Sequence, residues 1–300
     1  MRAFILAGGF ATRLWPLTEK RAKPLLPLAG VPLVEYLVRD IPEDIPITIS
    51  TNAVFKDAFE QWAKELKRGN IEILIEDVKS DDQKLGALGA TAQWITQAKI
   101  DDDVLLLTGD NYCGFAFNDF LSAASDDTTL IAVHDIGDLK KASAFGTVIA
   151  EGTTVQAFEE KPKEPKTTLV NTGCSLLPKS TLPILVEHAK EHPDNVGGIF
   201  EELLSRGKPI ECFSFTEPWF DIGSFDAYLE ATRALVGEDF VVKGDGCTIK
   251  DSELKSVVLF EDCEIEDCVL SNCVLDKHCR LKGVELHGKM LREGTVLEQE

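Results

Sequence analysis

The sequence predicts an α/β protein, a mostly parallel sheet flanked by helices, followed by a short β-solenoid. Three observations carry that reading. Short apolar runs alternate with helical patterns from the first residues to about residue 236. Glycine-bearing turns follow the ends of two of those runs, at Gly8-Gly9 and at Gly109. From Cys247 onward, apolar residues recur in pairs at intervals of five or six, which fits neither the helical 3.6 nor a two-fold strand alternation. With 300 residues and 44% hydrophobic content, the chain can bury one large core or two smaller ones. The expected organisation is residues 1–236 as one domain and 237–300 as a second.

The elements follow in order. Phe4-Ile5-Leu6 is an apolar run of the buried-strand type. Pro32 to Arg39 reads as a helix, ended by the stretch Pro42 to Pro46, and Ile47 to Ser50 as a strand. Lys56 to Arg68 places Phe59, Trp62, Ala63 and Leu66 at helical spacing, and Gly69-Asn70 stops it. Ile71 to Ile75 is a strand, Leu88 to Ile100 a helix and Val104 to Thr108 another strand. Strands alternating with helices in this way describe a Rossmann-like sheet. Ligands of such sheets collect beyond the carboxyl ends of the strands. Gly8 lies just past the first strand and Asp110 just past Val104–Thr108, so both are expected to face one crevice. Ser224 to about Val236 is a helix ended by Gly237. Beyond it, the pairs Cys263/Ile265, Cys268/Leu270, Cys273/Leu275, Cys279/Leu281 and Val284/Leu286 predict two to three solenoid coils of roughly 18 residues each.

Charge and cysteines narrow the function classes. Fifty-one acidic against 31 basic residues give a formal charge of −20, which argues against nucleic acid as a partner. No apolar run approaches the ~20 residues a membrane-spanning helix needs, and no charged-then-apolar leader opens the chain. A cytoplasmic protein with no membrane partner is expected. The eight Cys lack the paired C-x-x-C spacing of zinc sites and do not form a secreted disulfide pattern. They read as small buried hydrophobes. Against this acidic background, Arg13, Lys20, Arg21 and Lys23 fall within eleven positions beside a glycine turn. Cations gathered there suit an anion such as a polyphosphate.

A lone Gly-Gly is ordinarily a strand-to-loop turn. GGFATR completes neither the dinucleotide fingerprint G-x-G-x-x-G nor a P-loop. The whole string FILAGGFATRLWPLTEKRAKPLLP, however, closely resembles the signature G-G-x-G-T-R-L-x-P-L-T-…-K-P-L-[LV]-P of the sugar-1-phosphate nucleotidyltransferases. Gly8, Gly9, Thr12, Arg13, Leu14, Pro16, Leu17, Thr18, Lys23, Pro24, Leu25, Leu26 and Pro27 match it. The usual third glycine is Ala11. If that position needs a positive φ, Ala costs roughly 1 kcal/mol or more there.

Further motifs fall in the same family's order. Leu85 to Ala90, LGALGA, resembles its second glycine loop, matching at Leu85, Gly86, Gly89 and Ala90, with Ala87 and Leu88 in place of the usual Thr and Ala. Gly109-Asp110-Asn111 matches the position of a magnesium-binding Asp. Phe145-Gly146-Thr147-Val148, Phe158-Glu159-Glu160-Lys161-Pro162 and Asn171-Thr172-Gly173 resemble its aromatic-G-x-V, F-x-E-K-P and N-x-G motifs. Trp219-Phe220-Asp221-Ile222-Gly223-Ser224 resembles its aromatic-D-[IV]-G-[ST]. Each alone has a plainer account as a turn, a cap or a surface charge pair. The resemblance covers about residues 1–236. The C-terminal repeat is similar to the left-handed β-helix found after several nucleotidyltransferase domains.

The resemblance implies transfer of a nucleotidyl group from a nucleoside triphosphate to a sugar 1-phosphate, with release of pyrophosphate. It implies Arg13 and Lys23 as the residues that neutralise the triphosphate. Leu6, Ala7, Gly8, Gly9, Thr12 and Gly86 would bind the nucleotide, mostly through backbone. Lys161 would take the sugar phosphate, Glu160 and Asn171 the hydroxyls, and Gly146 would let the sugar approach closely. Asp110 and Asp221 would hold Mg2+. Glucose 1-phosphate with dTTP or UTP is the favoured pair, and mannose 1-phosphate with GTP the alternative. A rival from another class is a non-catalytic homologue that binds a nucleotide sugar to regulate a partner. A homo-oligomer is possible through the solenoid, whose coil ends need covering.

Overall fold

The computed structural model describes residues 1–9, 11–76 and 85–299; Phe10, inside the opening signature, lies outside the described residues. The chain forms two compact units. The first holds the described residues of Met1–Gly9 and Leu37–Trp219, the second those of Phe10–Tyr36 and Phe220–Glu300. The expected boundary at 236/237 falls inside the second unit, at the Gly237 cap that ends the Phe225–Val236 helix.

The first unit is built on a sheet of nine described strands. They are β1 (Arg2–Leu6), β2 (Ile47–Asn52), β3 (Ile71–Glu76), β4 (Val104–Thr108), β5 (Thr129–Asp135), β6 (Gly146–Glu151), β7 (Thr154–Glu160), β8 (Leu169–Leu177) and β9 (Ile210–Phe215). Their order is β3-β2-β1-β4-β8-β5-β9-β7-β6. Pairing is parallel from β3 to β4 and between β5 and β9. It turns antiparallel where β8 enters between β4 and β5 and where the β6–β7 hairpin closes the edge. The sheet is therefore mixed. Its parallel half is the part whose alternation of strand and helix the sequence displays.

The core runs under both halves. Phe4 of β1 stacks on Trp94 of the Ala87–Gln97 helix, ring centroids 4.4 Å apart. Val104, Leu106, Ile131 and Val133 pack into the same cluster. The Lys56–Glu65 helix stops three residues short of the expected Arg68, because Lys67 turns left-handed at φ 56. Arg68 is then free to clamp the preceding turn. Its guanidinium donates to the carbonyls of Val38, Ile41, Pro42 and Ile45 at 2.6–3.2 Å.

In the second unit, Ser224 caps the Phe225–Val236 helix by accepting from the Ala227 amide at 3.2 Å. Tyr228 of that helix is fully buried and donates to the Pro27 carbonyl. The solenoid begins at Val241, and its parallel strands stack with partners sixteen residues apart. Val241 faces Val257, Glu253 faces Val269 and Arg280 faces Val296. The rung is thus shorter than the expected 18 residues. Left-handed residues mark the corners in three columns: Gly246, Asp262, His278 and Gly294; Asp251, Asp267 and Gly283; Ser256, Asn272 and Gly288. The corners within a rung are five, five and six residues apart, which is where the irregular interval of the repeat comes from. The stacking is compatible with a β-helix.

Its interior takes Val257, Leu259, Ile265, Leu270, Leu275 and Leu281 together with Cys263, Cys268, Cys273 and Cys279. All eight Cys are free thiols. In one column they do more than fill space. The thiols of Cys247, Cys263 and Cys279 donate to the carbonyls of Phe260, Asp276 and Arg292, each thirteen residues on, at 2.8, 3.2 and 3.2 Å. Among the described residues, no helix is long and apolar enough to cross a membrane.

Candidate active site

In the first unit Leu6, Ala7, Gly8 and Asp110 gather at the carboxyl end of the parallel strands. Leu6 and Thr108 are partners in the ladder, and the Gly109 amide donates to the Leu6 carbonyl at 2.8 Å. Gly8 and Asp110 therefore leave the sheet at the same edge. Ala7 donates to the Ser50 carbonyl at 2.8 Å, and Asn52 donates to the Gly8 carbonyl at 3.0 Å. A Cβ on Gly8 would lie 3.0 Å from a carboxylate oxygen of Glu76. Glu76 in turn accepts from the Ser50 hydroxyl at 2.5 Å, and burial pushes its carboxyl upward. Gly86, at φ 79, caps the Ala87–Gln97 helix against the Pro193 carbonyl, where any Cβ would collide. That gives Gly86 a packing reason beside the nucleotide-binding role its motif implies.

Asn111 donates to Thr108 at 2.7 Å and to Asp110 at 3.1 Å, while its own carboxamide oxygen is buried without a hydrogen-bond partner. The carboxamide oxygen of Asn171, on β8, is orphaned in the same way. Orphaned buried acceptors are expensive unless something polar reaches them.

A second group of motif residues forms around Glu160. Phe158 of β7 pairs with Val148 and Glu160 with Gly146 across the β6–β7 hairpin. A Cβ on Gly146 would come within 2.9 Å of Glu160 Oε2 and collide with the Phe158 ring; one on Gly197 would meet the same carboxylate. Two bare backbones thus wrap one carboxylate. Gly197 stands in VGGIF, outside every motif singled out in the sequence, and its role follows only from the fold. Burial raises the Glu160 carboxyl, opposed by the charge of Lys161 beside it. Lys161 adopts φ 46 and holds its ammonium 3.4 Å from Glu160, with 66% of the side chain exposed. An exposed cation beside a half-buried acceptor suits a phosphate bearing a hydroxylated ring.

The second unit brings together the other three charged residues. Lys23 is buried, at 6% exposure, in a short helical turn, Lys23–Leu25, stiffened by Pro24. Its ammonium lies 3.3 Å from Asp221 Oδ1. Arg13 sits exposed on the turn Thr12–Leu14. A Cβ on Gly223 would fall 3.2 Å from the Arg13 guanidinium and 3.5 Å from Asp221. Gly223 thereby lets Arg13 and Asp221 approach the same backbone. Ala11 does take the left-handed conformation, φ 46 and ψ 47, and its carbonyl accepts from Thr18 at 2.8 Å.

One expectation needs correction. Arg21 is buried against a carboxylate rather than presented to a polyphosphate, and Lys20 already has a carboxylate within reach. Lys20 pairs with Glu293 at 3.2 Å and Arg21 with Asp276 at 3.3 Å, both acids of the solenoid. A run of cations in the sequence does not reveal which of them already have carboxylates within reach.

Mg2+ takes one or two carboxylates together with substrate phosphates. Asp110 and Asp221 are each carboxylates of that kind. Among the described residues, no group of three or more His, Cys, Asp or Glu side chains gathers as a metal site.

The family model for nucleotidyl transferases matches residues 2–238. The chain belongs to that family. A protein of Sulfolobus acidocaldarius, described as a candidate mannose-1-phosphate guanyltransferase, is 31% identical over 245 residues, 78% of this chain and 63% of its own length. A glucose-1-phosphate adenylyltransferase of Clostridium beijerinckii is 28% identical over 261 residues, 79% of this chain and 66% of its own. The chain spans less than two thirds of either relative. Among solved structures, a Bacillus anthracis protein described as a candidate glucose-1-phosphate thymidylyltransferase, bound to sucrose, superposes with a TM-score of 0.69 at 22% identity. The match covers 79% of this chain and 95% of that one, and it speaks to the fold.

Proposed function

We propose that the protein transfers a nucleotidyl group from a nucleoside triphosphate to a sugar 1-phosphate. The observation that carries this reading is the cluster of Lys23, Asp221 and Arg13, in which a buried ammonium and an exposed guanidinium of the signature loop stand by the carboxylate of Asp221. A phosphate oxygen of the sugar phosphate attacks the α-phosphorus in line; the bond to the β-phosphate breaks and pyrophosphate leaves. Little covalent work falls to the protein, so positioning and charge neutralisation do most of it. Arg13 meets charge developing on the departing pyrophosphate, and Lys23 holds the triphosphate. Lys161 takes the sugar phosphate, while Glu160 and Asn171 accept hydrogen bonds from sugar hydroxyls. Leu6, Ala7, Gly8, Gly9, Thr12 and Gly86 serve the nucleotide. Asp110 and Asp221 are the residues that would hold Mg2+, which supplies Lewis-acid neutralisation of phosphate charge.

The pair favoured for substrate is glucose 1-phosphate with dTTP or UTP. The name of the Sulfolobus relative favours a second pair, mannose 1-phosphate with GTP. Pyrophosphate release, measured for UTP, dTTP, GTP and ATP against glucose and mannose 1-phosphates with Mg2+, tests both. Release with GTP and mannose 1-phosphate alone selects the second pair. No release from any pair, with nucleotide sugar still bound by calorimetry, would replace transfer with a binding role.

A further inference from the structure

Three solenoid residues sixteen apart, Phe260, Asp276 and Arg292, stand in one column, and each meets the loop segment Trp15–Arg21 of the same unit. The Arg21 guanidinium lies 4.7 Å from the Phe260 ring centroid and 3.3 Å from Asp276 Oδ1. Arg292 pairs with Glu19 at 2.8 Å and covers the Trp15 ring at 4.9 Å. Glu293, next to that column, pairs with Lys20 at 3.2 Å. Glu19, Lys20 and Arg21 are thus each answered by a charge from the solenoid.

These pairs differ in weight. Lys20–Glu293 and Glu19–Arg292 are largely exposed, and such pairs contribute little. Arg21 and Asp276 keep only 17% and 10% of their side chains exposed. Removing one partner of a buried pair leaves an uncompensated charge. Here the cost is sharpened, because Arg21 Nη1 is already buried without a hydrogen-bond partner. Asp276 is also held ready. Its carboxylate accepts from the Lys277 amide at 2.9 Å, and its carbonyl takes the Cys263 thiol at 3.2 Å.

The connection onward is short. Ala22 is fully buried, the Leu25 amide donates to the Ala22 carbonyl at 3.0 Å, and the turn it closes carries Lys23 beside Asp221. A shift at Arg21 therefore reaches Lys23 across a single buried residue, Ala22.

We propose that Asp276 is a positioning residue for the phosphate loop, holding Arg21 so that Lys23 and Asp221 are set for turnover. The proposal rests on the nucleotidyl-transfer reading above and adds the solenoid as a working part of that site. It is tested in the full chain with Asp276→Asn, Asp276→Glu, Arg21→Lys, the double variant Arg21→Lys/Asp276→Asn, and Glu264→Gln as a control on an exposed solenoid face. Asp276→Asn is expected to lower kcat roughly 10- to 100-fold, the scale of a loop displaced by about an ångström. KM for sugar phosphate should stay within about twofold. Asp276→Glu should recover part of the loss, and the double variant should lose no more than its worse single. Hydrogen exchange over residues 12–25 should quicken, while Val269–Leu275 keeps its protection. Unchanged kcat and exchange in Asp276→Asn would overturn the proposal. So would a loss matched by the unfolded fraction, with protection gone throughout the solenoid. If the wild-type chain releases no pyrophosphate from any pair, the transfer reading fails, and exchange over 12–25 alone decides whether Asp276 holds the loop.

Discussion

Arg13 and Lys161 are both exposed cations on family motifs, yet the structure gives them different company. Arg13 shares the Gly223 backbone with Asp221, whereas Lys161 leans on Glu160 beside Gly146 and Gly197. Arg13→Ala should therefore cost turnover, by roughly 10²–10³-fold, as the loss of a preorganised contact to developing charge does. Lys161→Ala should raise KM for sugar phosphate and leave that for triphosphate nearly unchanged, since its phosphate is charged in the ground state. Steady-state kinetics with each substrate varied in turn separates the two; a Lys161 defect seen only against triphosphate would reassign the motif. Ala11 offers a stability test at the same scale. A left-handed L-residue costs about 1–2 kcal/mol, and glycine returns about 0.5–1 of that through unfolded-chain entropy. Ala11→Gly should therefore raise the denaturation free energy by about 0.5–1 kcal/mol in urea titration. Motif residues were legible because backbone approach and fixed charge constrain identity. Arg21 was misread because its carboxylate lies 255 residues away in sequence, and Gly197 was invisible because a neighbour's carboxylate, not its own motif, forbids a side chain there.

Elements were legible wherever local periodicity decides them. Strands β1 to β4 and the helices between them follow from apolar spacing, and the Ser224 cap and Gly237 stop mark the last helix. The entry of β8 between β4 and β5 has no local sign, because antiparallel neighbours are chosen by long-range pairing. In the solenoid the interval of five or six was visible, but the sixteen-residue sum needs the three corners that only the fold displays. The same register stacks charges on its outer face. Glu266 lies between Lys250 and Lys282, at 3.3 and 3.5 Å, and hydrogen bonding and charge from Lys250 lead the effects that hold its carboxyl below the usual range. A depressed carboxyl contributes stability above its unfolded pKa and loses it as pH falls through the folded one. Glu266→Gln should therefore be less stable than wild type at pH 7 and approach it below about pH 4. Urea midpoints at the two pH values check this; a constant gap would remove the charge ladder as the cause.

At the scale of the whole molecule, the question is what the solenoid does for the rest of the chain. Viewed as a separate domain, it could be cut away after about residue 240 with only assembly affected. The contacts of Glu19, Lys20 and Arg21 argue otherwise, since they tie the signature loop to Phe260, Asp276, Arg292 and Glu293. Truncation would strand the Arg21 guanidinium without its carboxylate and uncover Trp15, while the nine-stranded sheet keeps its own core around Phe4, Trp94 and Ile131. The truncated chain should thus retain most of its far-ultraviolet helix and sheet signal and a cooperative melt. It should nonetheless lose turnover at least as completely as Asp276→Asn, with rapid exchange over residues 12–25. Sedimentation of both forms, run in parallel, reports whether the solenoid also holds copies together. A truncated chain with wild-type kcat and a protected loop would reduce the solenoid to an assembly device; a folded, inactive one with a freely exchanging loop makes it part of the catalytic apparatus.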